Sequence, residues 1–165
     1  MTIPIFLFLF IELVVVAYKD IKYRKIKNYW SILNIACASV VYFLFPDIYP
    51  LQLEAFQFSI VFIFVGFMLY MFNVMGGGDS KFLASFFLLV PYTLQVTFFY
   101  FLLLSTIVIG VFFLIKNTIH NREELFKSIK NNNLQGVKNC FGTKFAYAPV
   151  ILLSWIYLGW VTFQA

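Results

Sequence analysis

The sequence predicts an all-α membrane protein that crosses the bilayer six times, and composition is the first reason. Of its 165 residues, 62% are hydrophobic and 12% are charged, and the mean hydropathy is +0.90. Soluble domains carry about 45–50% apolar and about 25% charged residues. Aromatic residues make up 22% of the chain, which suits lipid-facing surfaces and interfacial belts. The composition therefore excludes a soluble globular domain.

Six apolar segments are the second reason. They cover residues 3–18, 29–45, 54–73, 80–90, 96–115 and 145–163. A continuous helix over residues 82–115 would be roughly 50 Å long, which exceeds the hydrocarbon core of a bilayer. Pro91 and the four residues after it break this stretch into a short fourth span and a full fifth span. No separate soluble domain fits in the remaining length, so we expect residues 1–165 to form one membrane-embedded domain.

The third reason is the distribution of cations. All twelve Lys and Arg residues fall in, or at the edge of, the first, third and fifth links. They are Lys19, Lys22, Arg24, Lys25, Lys27, Lys81, Lys116, Arg122, Lys127, Lys130, Lys138 and Lys144. Cytoplasmic links are enriched in Lys and Arg, so this pattern predicts odd links in the cytoplasm and both termini outside. The net charge of +5 then reflects topology in the cytoplasmic membrane, and we expect a lipid environment and no nucleic-acid partner.

The fifth link and the cysteines have weaker patterns. Leu125, Phe126 and Ile129 lie near one face of a short helix that Asn121 would cap. That helix would rest on the membrane surface, and a solvated connector explains the same residues equally well. Cys37 and Cys140 stand far apart without a CxxC motif, so we expect neither a zinc site nor a disulfide framework. No metal and no cofactor are predicted.

Two carboxylates are the candidate chemical groups. Gly76, Gly77 and Gly78 remove every Cβ from a stretch of backbone, so another chain can approach it, and Asp79 follows at once. Asp20 closes the first apolar segment. The second and third spans cross the membrane outward and back between Asp20 and Asp79. Both acids are therefore expected on the same, cytoplasmic side of the membrane. Two such acids share a proton, one activating a water and the other polarising a peptide carbonyl.

Other interpretations of the acids remain open. Asp79 could cap the fourth helix, and Asp20 could balance neighbouring cations. Glu12, about 12 Å from Asp20 along the same helix, is interpreted as a structural acid bonded to a neighbouring helix. His120 is interpreted as a solvated residue in a polar link. No Ser-His or Cys-His arrangement is evident in the sequence.

The glycine run resembles a known motif. Gly76-Gly77-Gly78-Asp79 fits the GxGD signature of membrane aspartyl proteases, and Asp79-Ser80-Lys81 extends it to the GGGDxK form of type IV prepilin peptidases. Asp20, followed by Arg24, Ile26 and Asn28, resembles the first motif of that family, although Lys27 stands where proline is usual. Lys144 with Tyr147-Ala148-Pro149 resembles its closing segment. The resemblance covers essentially the whole chain.

The resemblance implies an endopeptidase that removes a short basic leader from prepilin-like proteins at the cytoplasmic face. Cleavage in that family follows a glycine, just before a hydrophobic helix. By analogy Asp20 and Asp79 are catalytic, Gly76 and Gly78 give the substrate backbone access, and Asn28 and Lys81 support substrate binding. Members that also N-methylate the product carry paired CxxC motifs in an additional domain. This chain instead resembles the compact branch found in tight-adherence pilus and archaeal preflagellin systems.

Two hypotheses from different classes remain at this point. The enzyme hypothesis predicts that Asp20→Asn and Asp79→Asn abolish leader removal, and that metal chelators leave activity intact. Presenilin-like proteases share GxGD but are longer and cut within the bilayer, so they fit less well. The rival hypothesis is a non-catalytic membrane component of a pilus or secretion assembly, without which processing would continue. The oligomeric state is not predicted.

Overall fold

The computed structural model describes residues 3–72, 75–122 and 146–164, and all regular structure within them is helical. The helices are α1 (Ile3–Tyr23), α2 (Asn28–Leu44), α3 (Leu53–Met71), α4 (Gly77–Phe87), α5 (Tyr92–His120) and α6 (Ala148–Gln164). The all-α prediction is therefore confirmed. Each helix overlaps one of the six apolar segments.

Length and composition qualify two of these helices, α3 and α5, as candidate membrane spans. α2 and α6 are apolar but shorter, and α4 has 11 residues, or about 16 Å of helix. A hydrocarbon core is about 30 Å thick, so α4 does not cross it alone. Six crossings, with both termini outside, remain a prediction.

Three boundaries differ from those expected. α1 continues to Tyr23, so Asp20 lies on its last turns and not in a link. α4 begins at Gly77, so two glycines and Asp79 belong to the helix. His120 ends α5 and is not in a link, because the polar residues after the apolar segment continue the same helix. The amphipathic segment around Phe126 lies outside the described residues.

The bundle is organised around α4. α2 and α3 both pack on α4, whereas α1 and α5 both pack on α6. Aromatic rings join these two groups: Trp155 of α6 contacts Phe86 of α4 and Phe98 of α5 edge-on, with ring centroids 5.2 and 5.5 Å apart. Phe6 of α1 stacks on the same Trp155 at 5.2 Å. These ring contacts hold α1, α4, α5 and α6 together as one bundle.

Two buried polar groups strengthen the bundle. The Gln95 side-chain amide donates to the carbonyls of Ala55, Phe87 and Val90 at 2.9, 3.1 and 3.2 Å. It thereby joins α3 to the end of α4, where the carbonyls of Phe87 and Val90 lie. Glu12 of α1 accepts two hydrogen bonds at 2.9 Å from the Asn34 amide of α2, with the amide oriented by its bonding partners. Glu12 is thus bonded to a neighbouring helix, as interpreted from the sequence.

Candidate active site

Asp20 is almost completely buried at the end of α1. Its side chain is 2% exposed. Its Oδ2 accepts a hydrogen bond of 3.0 Å from the backbone N–H of Ala148, and the backbone of Tyr147 also bonds to this carboxylate. Ala148 is the first residue of α6, so Asp20 binds the N-terminus of that helix, where unpaired N–H groups point outward.

Burial dominates the electrostatics of Asp20. The carboxyl group lies beyond the apolar segment of α1, and its desolvation raises its pKa above the ordinary value. The hydrogen bonds from Ala148 and Tyr147 oppose this rise, but they do not cancel it. Asp20 therefore holds its proton more tightly than an exposed aspartate does.

Asp79 lies at the third position of α4 and is half-buried. Its Oδ2 accepts a hydrogen bond of 3.2 Å from the N–H of Gly76, the residue that caps the helix. This is the carboxylate half of a capping box. The capping role considered from the sequence is therefore real. It uses one carboxylate oxygen and fixes the orientation of the side chain.

The glycine run contacts the loop after α1 directly. A Cβ at Gly78 would collide with the carbonyl oxygen of Ile26. Ile26 is a buried residue in the loop that follows Asp20. A Cβ at Gly76 would lie 2.8 Å from Oδ2 of Asp79. At Gly77 it would meet only the ring of Tyr70, at 3.4 Å. Gly78 thus allows α4 to approach the Asp20 loop, and Gly76 leaves space for the second acid.

The start of α6 lies beside both acids. The backbone of Tyr147 bonds to Asp20, and its side chain lies within range of an electrostatic interaction with Asp79. The Thr106 hydroxyl donates its proton to the carbonyl of Leu102 at 2.6 Å. In its contact with Tyr147 the Thr106 oxygen must therefore accept, so the Tyr147 hydroxyl is the donor at 3.2 Å. Tyr147 and Ala148 were not predicted as site residues. Their only signal in the sequence was the Tyr-Ala-Pro segment itself.

A cavity of about 440 Å³ opens beside the glycine run between α3 and α4. Its lining includes three of the residues predicted to support the site, Asn28, Gly78 and Lys81, together with Tyr70 of α3. Asp20 and Asp79 do not line it, and Gly76 caps α4 outside it. The open cavity is therefore lined by the glycine run and not by either acid, and of the two acids only Asp20 is buried.

Within the described residues, no group of three His, Cys, Asp or Glu side chains is placed to hold a metal ion. Cys37 lies on α2 as a free thiol, and Cys140 falls outside the described residues. The groups at the site that can move a proton are Asp20, Asp79 and the Tyr147 hydroxyl. Two carboxyl groups in different environments suit general acid–base chemistry.

Two carboxyl groups on neighbouring segments of an apolar helical bundle are the chemical groups that an aspartic peptidase requires. The family model for the type IV leader peptidase family matches residues 7–115, and the chain belongs to this family of aspartic prepilin peptidases. The match includes Asp20 and the glycine run and ends before Tyr147. Comparison with curated proteins and with solved structures gives no significant match.

Proposed function

We propose that this chain removes the leader from prepilin-like precursors at the cytoplasmic face of the cell membrane, with Asp20 and Asp79 as the catalytic pair. Family membership implies leader cleavage. The observation that supports the assignment of residues is the close packing of Gly78, the residue before Asp79, against the Ile26 carbonyl in the loop that follows Asp20, because it brings the segments that carry the two acids into contact. The cytoplasmic orientation is supported by the cations gathered in the odd links.

The two environments suggest different roles for the acids. Asp20, desolvated and with a raised pKa, is the protonated member, and half-buried Asp79 is the ionised one. The Asp79 carboxylate takes a proton from a water molecule as the water oxygen attacks the scissile carbonyl carbon. The Asp20 carboxyl hydrogen-bonds the carbonyl oxygen and stabilises its developing negative charge. When the C–N bond breaks, the leaving amine takes up the proton held by Asp79.

The glycine run supplies the route to this pair. A peptide can cross backbone that lacks Cβ atoms. Gly77 and Gly78 line the open cavity, and Gly78 also contacts the loop that follows α1. Asn28 and Lys81, both exposed at the mouth of that cavity, are placed to bind polar groups of the leader. The substrate is a precursor with a short leader, a glycine and then an apolar helix.

Cleavage is proposed to occur without N-methylation of the new terminus. The 165 residues contain two cysteines and no CxxC pair, the motif of the methylating members. Mass spectrometry of the processed product should show a free, unmethylated N-terminus. A product heavier by one methyl group, formed by the purified chain with a methyl donor, would contradict this part of the proposal.

Co-expression with a prepilin-like protein, followed by a gel mobility-shift assay, tests the function. The wild type should convert the precursor, whereas Asp20→Asn and Asp79→Asn should each lose conversion while still inserting in the membrane. Asp47→Asn is the matched control, because Asp47 is exposed in the α2–α3 link, away from the site. Processing that continues in both site variants would support a non-catalytic assembly component instead.

A further inference from the structure

The first turn of α4, which carries Asp79, is joined to α3 through the side chain of Ser80. The Ser80 hydroxyl lies 3.1 Å from the carbonyl oxygen of Gly66, on α3, and 3.3 Å from the carbonyl oxygen of Gly76. A hydroxyl has one proton, so the two carbonyls share it. Ser80 is 6% exposed, and water therefore has little access to these bonds. The hydroxyl links two helices at the start of α4.

The same hydroxyl bonds to the residue that orients Asp79. Gly76 caps α4, and its N–H donates to Oδ2 of Asp79 at 3.2 Å. The Gly76 carbonyl accepts from the N–H groups of Asp79 and Ser80 at 3.1 and 3.3 Å, and also from the Ser80 hydroxyl. Gly76 is thus held on both sides, by the acid through its N–H and by Ser80 through its carbonyl.

Gly66 makes the contact with Ser80 possible. A Cβ at Gly66 would lie 2.5 Å from Cβ and 2.8 Å from Oγ of Ser80, so a residue with a side chain fits there only if Ser80 moves. Gly66 is buried within α3, although glycine is a poor former of helix interiors. Its lack of a Cβ lets α4 approach until the Ser80 hydroxyl reaches the backbone of α3.

We propose that Ser80 is a positioning residue for Asp79. Its hydroxyl, bonded to Gly66 of α3 and Gly76 of α4, fixes the first turn of α4 and thereby the direction of the Asp79 carboxylate. The proposal rests on the proposed function, in which Asp79 is a catalytic acid, and it adds the residue that aims that acid. The GGGDxK motif leaves position 80 open, so the role is a property of this chain.

Ser80→Ala tests the proposal, with Ser85→Ala as the matched control. Ser85 lies on the same helix and is 4% exposed, and its hydroxyl donates only within α4, to the carbonyl of Phe82 at 2.9 Å. A displacement of about 1 Å in a reacting group can lower a rate about 100-fold, and a smaller shift is expected here. Ser80→Ala should lower kcat for prepilin cleavage about ten-fold. Ser85→Ala should change kcat less than about two-fold.

The KM of Ser80→Ala separates positioning from substrate binding. Ser80 and Gly66 both line the open cavity beside the glycine run, so a substrate contact there would also be lost in the variant. Loss of uniform binding raises KM and leaves kcat unchanged, whereas misplacement of a catalytic acid lowers kcat. We expect KM to stay within about two-fold of the wild type. A raised KM with an unchanged kcat would overturn the positioning role.

Hydrogen exchange at single residues separates positioning from a general loss of stability. The N–H of Gly76 is bonded to Asp79, so its exchange reports how firmly the capping bond is held. Ser80→Ala should accelerate exchange at Gly76 and leave exchange in α5 unchanged. Ser85→Ala should leave both unchanged. Acceleration across all helices, with a matching loss of kcat, would mean that Ser80 only stabilises the bundle and would overturn the proposal.

Ser80→Thr, which keeps a hydroxyl at the same position, is the conservative variant. It should retain the slow exchange of Gly76 and at least about half of the wild-type kcat. If Ser80→Thr is well folded but resembles Ser80→Ala in both measurements, the hydroxyl is not what holds Asp79.

The outcomes distinguish this proposal from the proposed function. If the wild type cleaves prepilin and Ser80→Ala does so with the wild-type kcat, the positioning proposal is wrong and the proposed function stands. If the wild type cleaves no prepilin, the proposed function fails. Faster exchange at Gly76 in Ser80→Ala would then still support the hold of the hydroxyl on the start of α4, and unchanged exchange would overturn it.

Discussion

The two candidate catalytic acids lie beside the same helix start but in different environments. Asp20 is 2% exposed and binds backbone N–H groups of a different helix, α6. Asp79 is half-buried and binds Gly76, three residues earlier on its own chain. Desolvation raises the pKa of Asp20, whereas the Asp79 side chain is more exposed. This difference in environment is the basis of the opposite roles that we propose for two identical side chains.

The largest expected effect comes from separating the two acids. Gly78→Ala places a Cβ against the carbonyl of Ile26, so the loop that follows Asp20 must move away from α4. Displacement of reacting groups by about 1 Å can lower the rate about 100-fold, and we expect at least that loss of kcat/KM in a prepilin cleavage assay.

Gly110→Ala is the control for that substitution. A Cβ at Gly110, in α5, meets nothing within 4 Å. Alanine there should leave activity unchanged and stabilise the helix by about 0.5–1 kcal/mol. Equal activities of Gly78→Ala and Gly110→Ala would mean that close contact between the glycine run and the α1 loop is not needed.

The pH dependence of cleavage tests the difference between the acids. The pKa of Asp20 is raised, so its neutral form persists above the pH at which an ordinary aspartate ionises. If neutral Asp20 is required, kcat/KM should remain high through that range and fall as the pH rises through the raised pKa. A profile of purified enzyme measures this directly. Activity that instead falls at the ordinary carboxyl pKa would show that Asp20 is not held protonated.

A smaller effect is expected at the helix start shared by both acids. Tyr147→Phe removes the hydroxyl that donates to Thr106, a hydrogen bond worth about 0.5–1.5 kcal/mol of stability, so Tm should fall. The loss of kcat/KM should be smaller than in Gly78→Ala, because the helix start beside Asp20 loses only one of its supports. Tyr157→Phe changes an exposed ring on the same helix and should have no effect. A loss of thermal stability without a loss of activity in Tyr147→Phe would limit this residue to packing.

The smallest effect concerns the departure from the family motif at Lys27. Lys27 caps α2 with φ −79° and ψ 144°, a conformation that proline also adopts. Lys27→Pro should therefore be accepted and should stabilise the protein by about 0.4–1 kcal/mol by restricting the unfolded chain. Thermal denaturation in detergent measures the change. A clear decrease in Tm would show that the turn after α1 differs from the one proline would favour.

Much of the fold follows from local features of the sequence. Apolar segments and the break at Pro91 predict six helices, and the glycine run with its acid marks the site. Helix starts were less predictable, because Gly77 and Gly78 have low helix propensity and yet begin α4, where Asp79 supplies the cap.

The contacts that assemble the site join residues far apart in the chain. Ala148 is separated from Asp20 by 128 positions, so no local pattern predicts that its N–H binds this carboxylate. From the sequence, Glu12 could be predicted to bond to some partner, because a buried acid needs one. That this partner is Asn34 could not be predicted. The packing of both α2 and α3 on α4 is likewise a property of tertiary structure that no local pattern predicts.

The central claim is that Asp20 and Asp79 act on one water molecule, and a double-substitution experiment tests it most directly. Groups that act as one unit have strongly non-additive effects on rate. We therefore predict that the Asp20→Asn/Asp79→Asn enzyme cleaves prepilin no more slowly than the slower of the two single variants. If the two losses in kcat/KM multiply instead, the acids act independently and the shared-water arrangement is wrong.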